Sequence, residues 1–110
     1  MAVAAGMHTG FMKATLNGTV LAEAPESDLI LIEGNWYFPP SAVTADLLRE
    51  SDTPYRCSWK GDCQYFDVVD GEQIYLDRAW SYPEPEPTSL DRVGKNYTDY
   101  IAFWKEVNVS

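Results

Sequence analysis

TPYRCSWKGDCQYFDVVDGEQIYLDRAWSY, residues 53–82, is the stretch on which the fold turns. It holds both cysteines, two of the four tryptophans and four of the seven tyrosines. Strand-forming residues run from Tyr55 to Trp59, Asp62 to Val69 and Glu72 to Tyr82, with turns at Lys60-Gly61 and Asp70-Gly71. Asp-Gly between two such runs marks a hairpin, because its tight turn needs positive φ. A two-residue loop there pairs Val69 with Glu72, Asp67 with Ile74, Tyr65 with Leu76 and Cys63 with Arg78. Strand alternation then sets Cys63, Tyr65, Leu76, Arg78, Trp80 and Tyr82 on one face. An odd loop centred on Lys60 makes Cys57 and Cys63 cross-strand neighbours. An even loop sends them to opposite faces.

The chain of 110 residues is long enough for one domain that buries roughly two-thirds of its unfolded surface. Aromatics at 14% are abundant, and tyrosine and tryptophan suit a core that doubles as a pocket lining. The formal charge of −9 argues against nucleic acid or an anionic membrane as partner, since both call for a positive footprint. It favours a monomer or small homo-oligomer. The first eleven residues, MAVAAGMHTGF, have neither the basic start nor the long apolar run of a signal peptide and read as a disordered leader. The domain is then expected over 12–110. No stretch approaches the ~18–20 apolar residues of a membrane span, so a cytoplasmic protein with reduced thiols is expected. Structural zinc wants four Cys or His ligands, and only Cys57, Cys63 and His8 exist, so no metal and no cofactor are expected.

Outward from the meander, Lys13–Leu16, Asn17-Gly18 and Thr19–Ala24 read as a β-hairpin with the strongest two-residue turn signal. Leu29–Glu33 is an apolar, β-branched run expected to be buried on both faces. Gly34-Asn35 turns the chain into a strand at Trp36–Phe38, stopped by Pro39-Pro40. Ser41 as N-cap and the spacing of Val43, Leu47 and Leu48 predict a helix from Ala42 to Glu50. Residues 83–87, PEPEP, read as an extended polyproline-like connection. Thr88–Asn96 reads as a loop with one helical turn at Ser89–Arg92. In the closing run, Ile101, Phe103, Val107 and Val109 alternate inward.

Several groups offer chemistry. Scattered carboxylates, Glu33 and Asp77 among them, could pair for acid–base work or hold a cation, although an acidic domain has acidic surfaces in any case. Arg56 and Lys60 flank Cys57 and could stabilise its thiolate. No histidine stands near to act as its base, so a buried structural cysteine is the plainer reading. Lys60-Gly61 lacks the glycine-rich pattern and following Ser or Thr of a phosphate loop, which excludes that motif. The aromatic set Trp36, Tyr37, Trp59, Tyr65, Trp80, Tyr82 and Trp104 exceeds the needs of one small core. A pocket lined by ring faces would suit a planar small molecule or a cation.

The string Cys57-Ser58-Trp59-Lys60-Gly61-Asp62-Cys63-Gln64-Tyr65 resembles the C-P-[WY]-K-G-x-A-x-Y signature of the bacterial domain of unknown function 427 family. Ala79-Trp80-Ser81-Tyr82-Pro83-Glu84-Pro85 resembles its A-W-x-Y-P-x-P signature. Glu33, the run Trp36–Pro39 and Ile101–Trp104 fit as well. Ser58 replaces the usual proline, and Cys63 replaces a small residue, which implies a tight position for that thiol. The resemblance implies a mainly-β, β-tent-like fold, with two antiparallel sheets built from hairpins and one short helix. That shape is similar to the thalidomide-binding domain of cereblon and to methionine sulfoxide reductase B, whose zinc knuckle has no ligands here. The family is sometimes labelled nucleotidyltransferase-like, but the glycine-serine pair and Asp-x-Asp metal site of that activity are missing from this chain.

The resulting expectation is a small-molecule-binding domain with a concave site between the sheets. Its binding residues are Glu33, Tyr37, Cys57, Trp59, Lys60, Tyr65, Trp80 and Tyr82. The alternatives are an enzyme using Lys60 or Cys57 and a protein-interaction module with exposed aromatics.

Overall fold

The computed structural model describes residues 10–110, and its architecture is mainly antiparallel β. Strands β1 (Phe11–Leu16) and β2 (Thr19–Pro25) form the first hairpin, turning at Asn17 and Gly18, both at positive φ as the sequence requires. Residues 1–9 of the expected leader lie outside the described residues, and β1 already begins at Phe11 rather than Met12. Strands β3 (Ile30–Ile32) and β4 (Asn35–Tyr37) form a small second hairpin. The meander consists of β5 (Leu48–Cys57), β6 (Gly61–Asp70) and β7 (Gln73–Ser81). Helix α1 (Pro87–Val93) follows, then the short strands β8 (Ala102–Phe103) and β9 (Asn108–Val109).

One sheet has the order β9-β1-β2 and the other β5-β6-β7-β8. The β3-β4 hairpin extends the second sheet, because Phe38 and Ile101 bridge just beyond β4 and β8. Between the sheets lies an aliphatic core that includes Leu16, Leu21, Phe38, Val68, Ala79, Ile101 and Phe103. The hairpin tips lock the open ends together. Asn17 Nδ2 donates to the Tyr75 hydroxyl at 2.8 Å, and the Thr19 hydroxyl donates to Asp70 at 3.3 Å.

The larger sheet has a second packed face. Neighbouring residues alternate between the two faces: Ala79, Phe103 and Phe38 enter the aliphatic core, while Trp80, Ala102 and Tyr37 join a separate cluster on the other side. That outer cluster holds Ile30, Ile32, Cys57, Tyr82 and Tyr97 besides, and is roofed by Leu90 and Val93 of α1.

Four local expectations are corrected. Ala42–Glu50 is not a helix: 3₁₀ turns occupy Pro40–Ala42 and Ala45–Leu47, and Leu48 opens β5. Leu48, Arg49 and Glu50 pair with Val68, Asp67 and Phe66, so the free side of β6 takes residues that helical spacing alone would curl. Leu31 is 54% exposed, so β3 is buried on one face only. Its hairpin turns at Glu33-Gly34, and Asn35 belongs to β4.

The β6-β7 register also differs, since Asp70 pairs with Gln73 and the loop is Gly71-Glu72. A bulge then sets Leu76, Asp77 and Arg78 against Asp67 alone, and beyond it Tyr65 pairs with Trp80. Asp77 takes positive φ there, and its backbone N–H donates to the Asp67 carboxylate at 2.9 Å. The alternation expected through Leu76 is broken, leaving Leu76 exposed and Trp80 buried.

Candidate functional site

The β5-β6 turn is a three-residue loop, Ser58-Trp59-Lys60, closed by the Cys57–Gly61 pair. Gly61 sits at φ +108°, and a Cβ there would stand 3.3 Å from the Glu84 carbonyl oxygen. Only glycine suits both the backbone angle and that close approach. The approaching chain is the Pro-rich segment 83–86. The expected extended run over 83–87 is only partly formed: the chain bends at Pro83 and Glu84, Glu86 is extended at φ −58°, ψ 135°, and Pro87 already opens α1; the Glu86 N–H donates to the Lys60 carbonyl at 3.0 Å. Arg56 pairs with Glu86 at 2.7 Å, Ser89 Oγ donates to the Glu86 carbonyl at 2.6 Å, and the Tyr97 hydroxyl donates to Ser89 Oγ at 2.7 Å. The segment is thereby strapped across the turn, with α1 behind it.

This arrangement presses Lys60 inward, to 5% exposure. Its Nζ stands 5.1 Å from the ring centres of both Trp59 and Tyr82 and donates to Glu33 Oε1. A buried ammonium against two ring faces is a desolvated cation–π arrangement. Glu33 reaches it from the tip of the β3-β4 hairpin, where φ is +53° at Glu33 and +83° at Gly34. Asn and Gly are the usual occupants of such a turn, so a glutamate there carries backbone strain. The Lys60 hydrogen bond lowers the Glu33 pKa, with burial opposing and the charges of Lys60 and Arg92 assisting.

Around this ion pair most of the rings pack edge on. Trp80 Nε1 donates to the Tyr37 hydroxyl at 2.9 Å, and their ring centres lie 6.1 Å apart. Tyr97 meets Tyr37 at 6.2 Å and Tyr82 at 6.1 Å. Tyr65 stacks on Trp104 at 6.2 Å, and Trp104 meets Trp80 at 5.2 Å. Burial pushes the hydroxyls of Tyr37 and Tyr82 well above the ordinary tyrosine value, so both stay protonated. Burial likewise pushes the Cys63 thiol up to about 11, against a downward pull from Lys60. Cys63 faces Tyr55 across the strands and Cys57 faces Gly61, so the cysteines are neither direct neighbours nor on opposite faces. Both are free thiols.

All eight residues expected from the sequence therefore meet. Tyr37, Cys57, Trp80 and Tyr82 are buried in one cluster, Trp59 and Tyr65 pack against it, and Lys60 with Glu33 forms its charged end. They gather on the outer face of the larger sheet, and not in a concavity between the sheets. The rings fill the space between one another. Two surface clefts flank the cluster and share Asp62 and Cys63: one of about 120 Å³ against Pro83 and Glu84, the other of about 470 Å³ against Pro54 and Tyr55.

Sequence reasoning missed Arg92, whose Cζ lies 4.1 Å from the Trp59 ring centre, and Tyr97, which is fully buried. A signal for the first existed: Pro87 at the first helical position and Gly94 at the C-cap bound α1 and bring Arg92 into its last turn. Among the described residues no group of three or more His, Cys, Asp or Glu side chains is placed to hold a metal ion, and no helix is long and apolar enough to cross a membrane.

No curated protein matches the chain. A family model does, over residues 8–110, and it is described as a domain of unknown function (DUF427) under a nucleotidyltransferase-type label. The match takes in both signature strings, the Glu33 turn and the closing strands, and the chain belongs to this family of mainly-β domains of unknown function.

Proposed function

We propose that the Glu33–Lys60 end of the aromatic cluster is a binding site for a small molecule. One observation carries this reading. Lys60 is a charged side chain taken out of water, and its sole carboxylate partner among the described residues is a solvent-accessible glutamate on a strained turn. Burying a charge is costly, and an ion pair seldom returns that cost as stability. A lysine kept there supplies a fixed, desolvated positive charge beside ring faces, a combination that suits recognition. Trp59 stands partly exposed as a wall beside Lys60 and Glu33, with the buried Tyr82, Trp80 and Tyr37 packed behind it. The raised pKa of Cys63 weighs against thiol chemistry at that residue.

A thermal-shift screen against wild type and Lys60→Met tests the reading. Compounds that raise the wild-type Tm and lose that effect in Lys60→Met support it. It fails if every compound that stabilises wild type stabilises Lys60→Met equally, or if no compound class does so. The interaction-module reading draws on Tyr55 and Leu76, which stand exposed on the larger sheet.

A further inference from the structure

We infer that the ligand of this site is an anion, a carboxylate or phosphate attached to a flat ring system, which takes the place of the Glu33 carboxylate between Lys60 and Arg92. The inference rests on the binding reading above and adds its ligand class. Two cations, Lys60 Nζ at 5.1 Å and Arg92 Cζ at 4.1 Å, lie over the single ring of Trp59. Among the described residues Arg92 forms no ion pair, and Lys60 pairs with Glu33 alone. Glu33 thus pairs with Lys60 alone, and Arg92 beside it has no carboxylate in contact among the described residues, which leaves a local surplus of positive charge on a chain of net charge −9. A protein so acidic would repel anions elsewhere, and a local surplus of positive charge with low-dielectric ring walls focuses attraction on this one place.

Glu33 has the marks of a stand-in. Its side chain is 55% exposed, so the carboxylate itself loses little on moving into water, whereas the buried ammonium left behind then needs another anion. Its backbone adopts a conformation that asparagine or glycine would hold with less strain, so the turn itself does not call for a glutamate. The Trp59 ring lies under both cations and is partly exposed, so it offers the flat part of the ligand an apolar contact beside them.

The test titrates benzoate, phenyl phosphate, benzyl alcohol and benzylamine against wild type, Glu33→Gln, Glu33→Asn, Lys60→Met and Arg92→Gln, following tryptophan fluorescence and Tm. Glu33→Asn suits the left-handed turn and guards against a fold defect in Glu33→Gln. Expected is binding of benzoate or phenyl phosphate, tightened on the order of tenfold in both Glu33 variants because a charge-assisted contact no longer competes. Arg92→Gln should weaken it and Lys60→Met abolish it. Preference between the two anions distinguishes a carboxylate ligand from a phosphate one. Binding of benzyl alcohol or benzylamine in preference to the anions, lost in Lys60→Met, would overturn the anion inference while leaving the binding site in place. Anion binding unchanged or weakened in both Glu33 variants would overturn the exchange with Glu33. Binding of none of the four probes to any variant would overturn the inference.

Discussion

The two faces of the larger sheet are packed in different materials. The inner face meets the β9-β1-β2 sheet mainly through alanine, leucine, isoleucine, valine and phenylalanine, with Trp36 and Tyr75 packed at its margin. The outer face is built of tyrosine, tryptophan and cysteine around a buried lysine. An aliphatic core stabilises in proportion to the area it removes from water and demands little of its neighbours. An aromatic cluster with hydroxyl, indole and ammonium groups must also satisfy each buried donor. The second arrangement also holds a strained turn and a desolvated charge, features that the inner core does without.

Substitutions can break this contrast. Phe38→Ala empties the middle of the inner core, where Phe38 is fully buried and meets Phe103 edge on at 5.8 Å. It should cost about 3–5 kcal/mol of unfolding free energy in urea titration. Tyr37→Phe acts on the outer face: it leaves the Trp80 indole N–H buried without its acceptor and should cost about 1–3 kcal/mol. A loss comparable to that of Phe38→Ala would mean that the outer cluster carries the fold as well.

Lys60→Met keeps the packing volume, removes the buried charge and releases Glu33 to water, so stability should change by no more than about 1 kcal/mol and could rise. A loss of several kcal/mol would make Lys60 a structural residue and remove the main support for a binding site. The smallest effect concerns pH. Glu33 has a lowered pKa in the folded state, so its contribution is present above the ordinary carboxyl value and disappears as pH falls through the lowered one. Glu106, brought to about 2 by Arg78, behaves in the same way between pH 4.5 and 2. Acid titration of Tm should show a slope in that window, shallower in Glu33→Gln.

Much of this contrast was legible in the chain. Asn17-Gly18 located a hairpin because its turn chemistry is local, and the strings around Trp59-Lys60-Gly61 and Trp80-Ser81-Tyr82 named residues that meet, although on the outer face of the larger sheet and not between the sheets. What stayed hidden depends on partners distant in sequence. Residues 42–50 carry helical spacing, yet β6 needed a neighbour and took Leu48–Glu50. The bulge at Leu76–Arg78 follows from the Asp67 carboxylate capturing the Asp77 N–H, and no period-2 rule foresees it. Glu33 drew notice through the family pattern, but its position at the turn tip is a matter of register.

The chain of rings running from Tyr55 through Tyr65, Trp104, Trp80, Tyr37 and Tyr97 to Tyr82 has an optical consequence. Chromophores this close and mutually tilted, as Trp80 and Trp104 are at 67°, share their excitations and acquire rotational strength of their own. The ultraviolet circular dichroism of this domain should carry an exciton couplet superimposed on the β-sheet signal. Removing either indole should collapse that couplet while the backbone ladder stays intact, which makes the outer face visible to spectroscopy separately from the core beneath it.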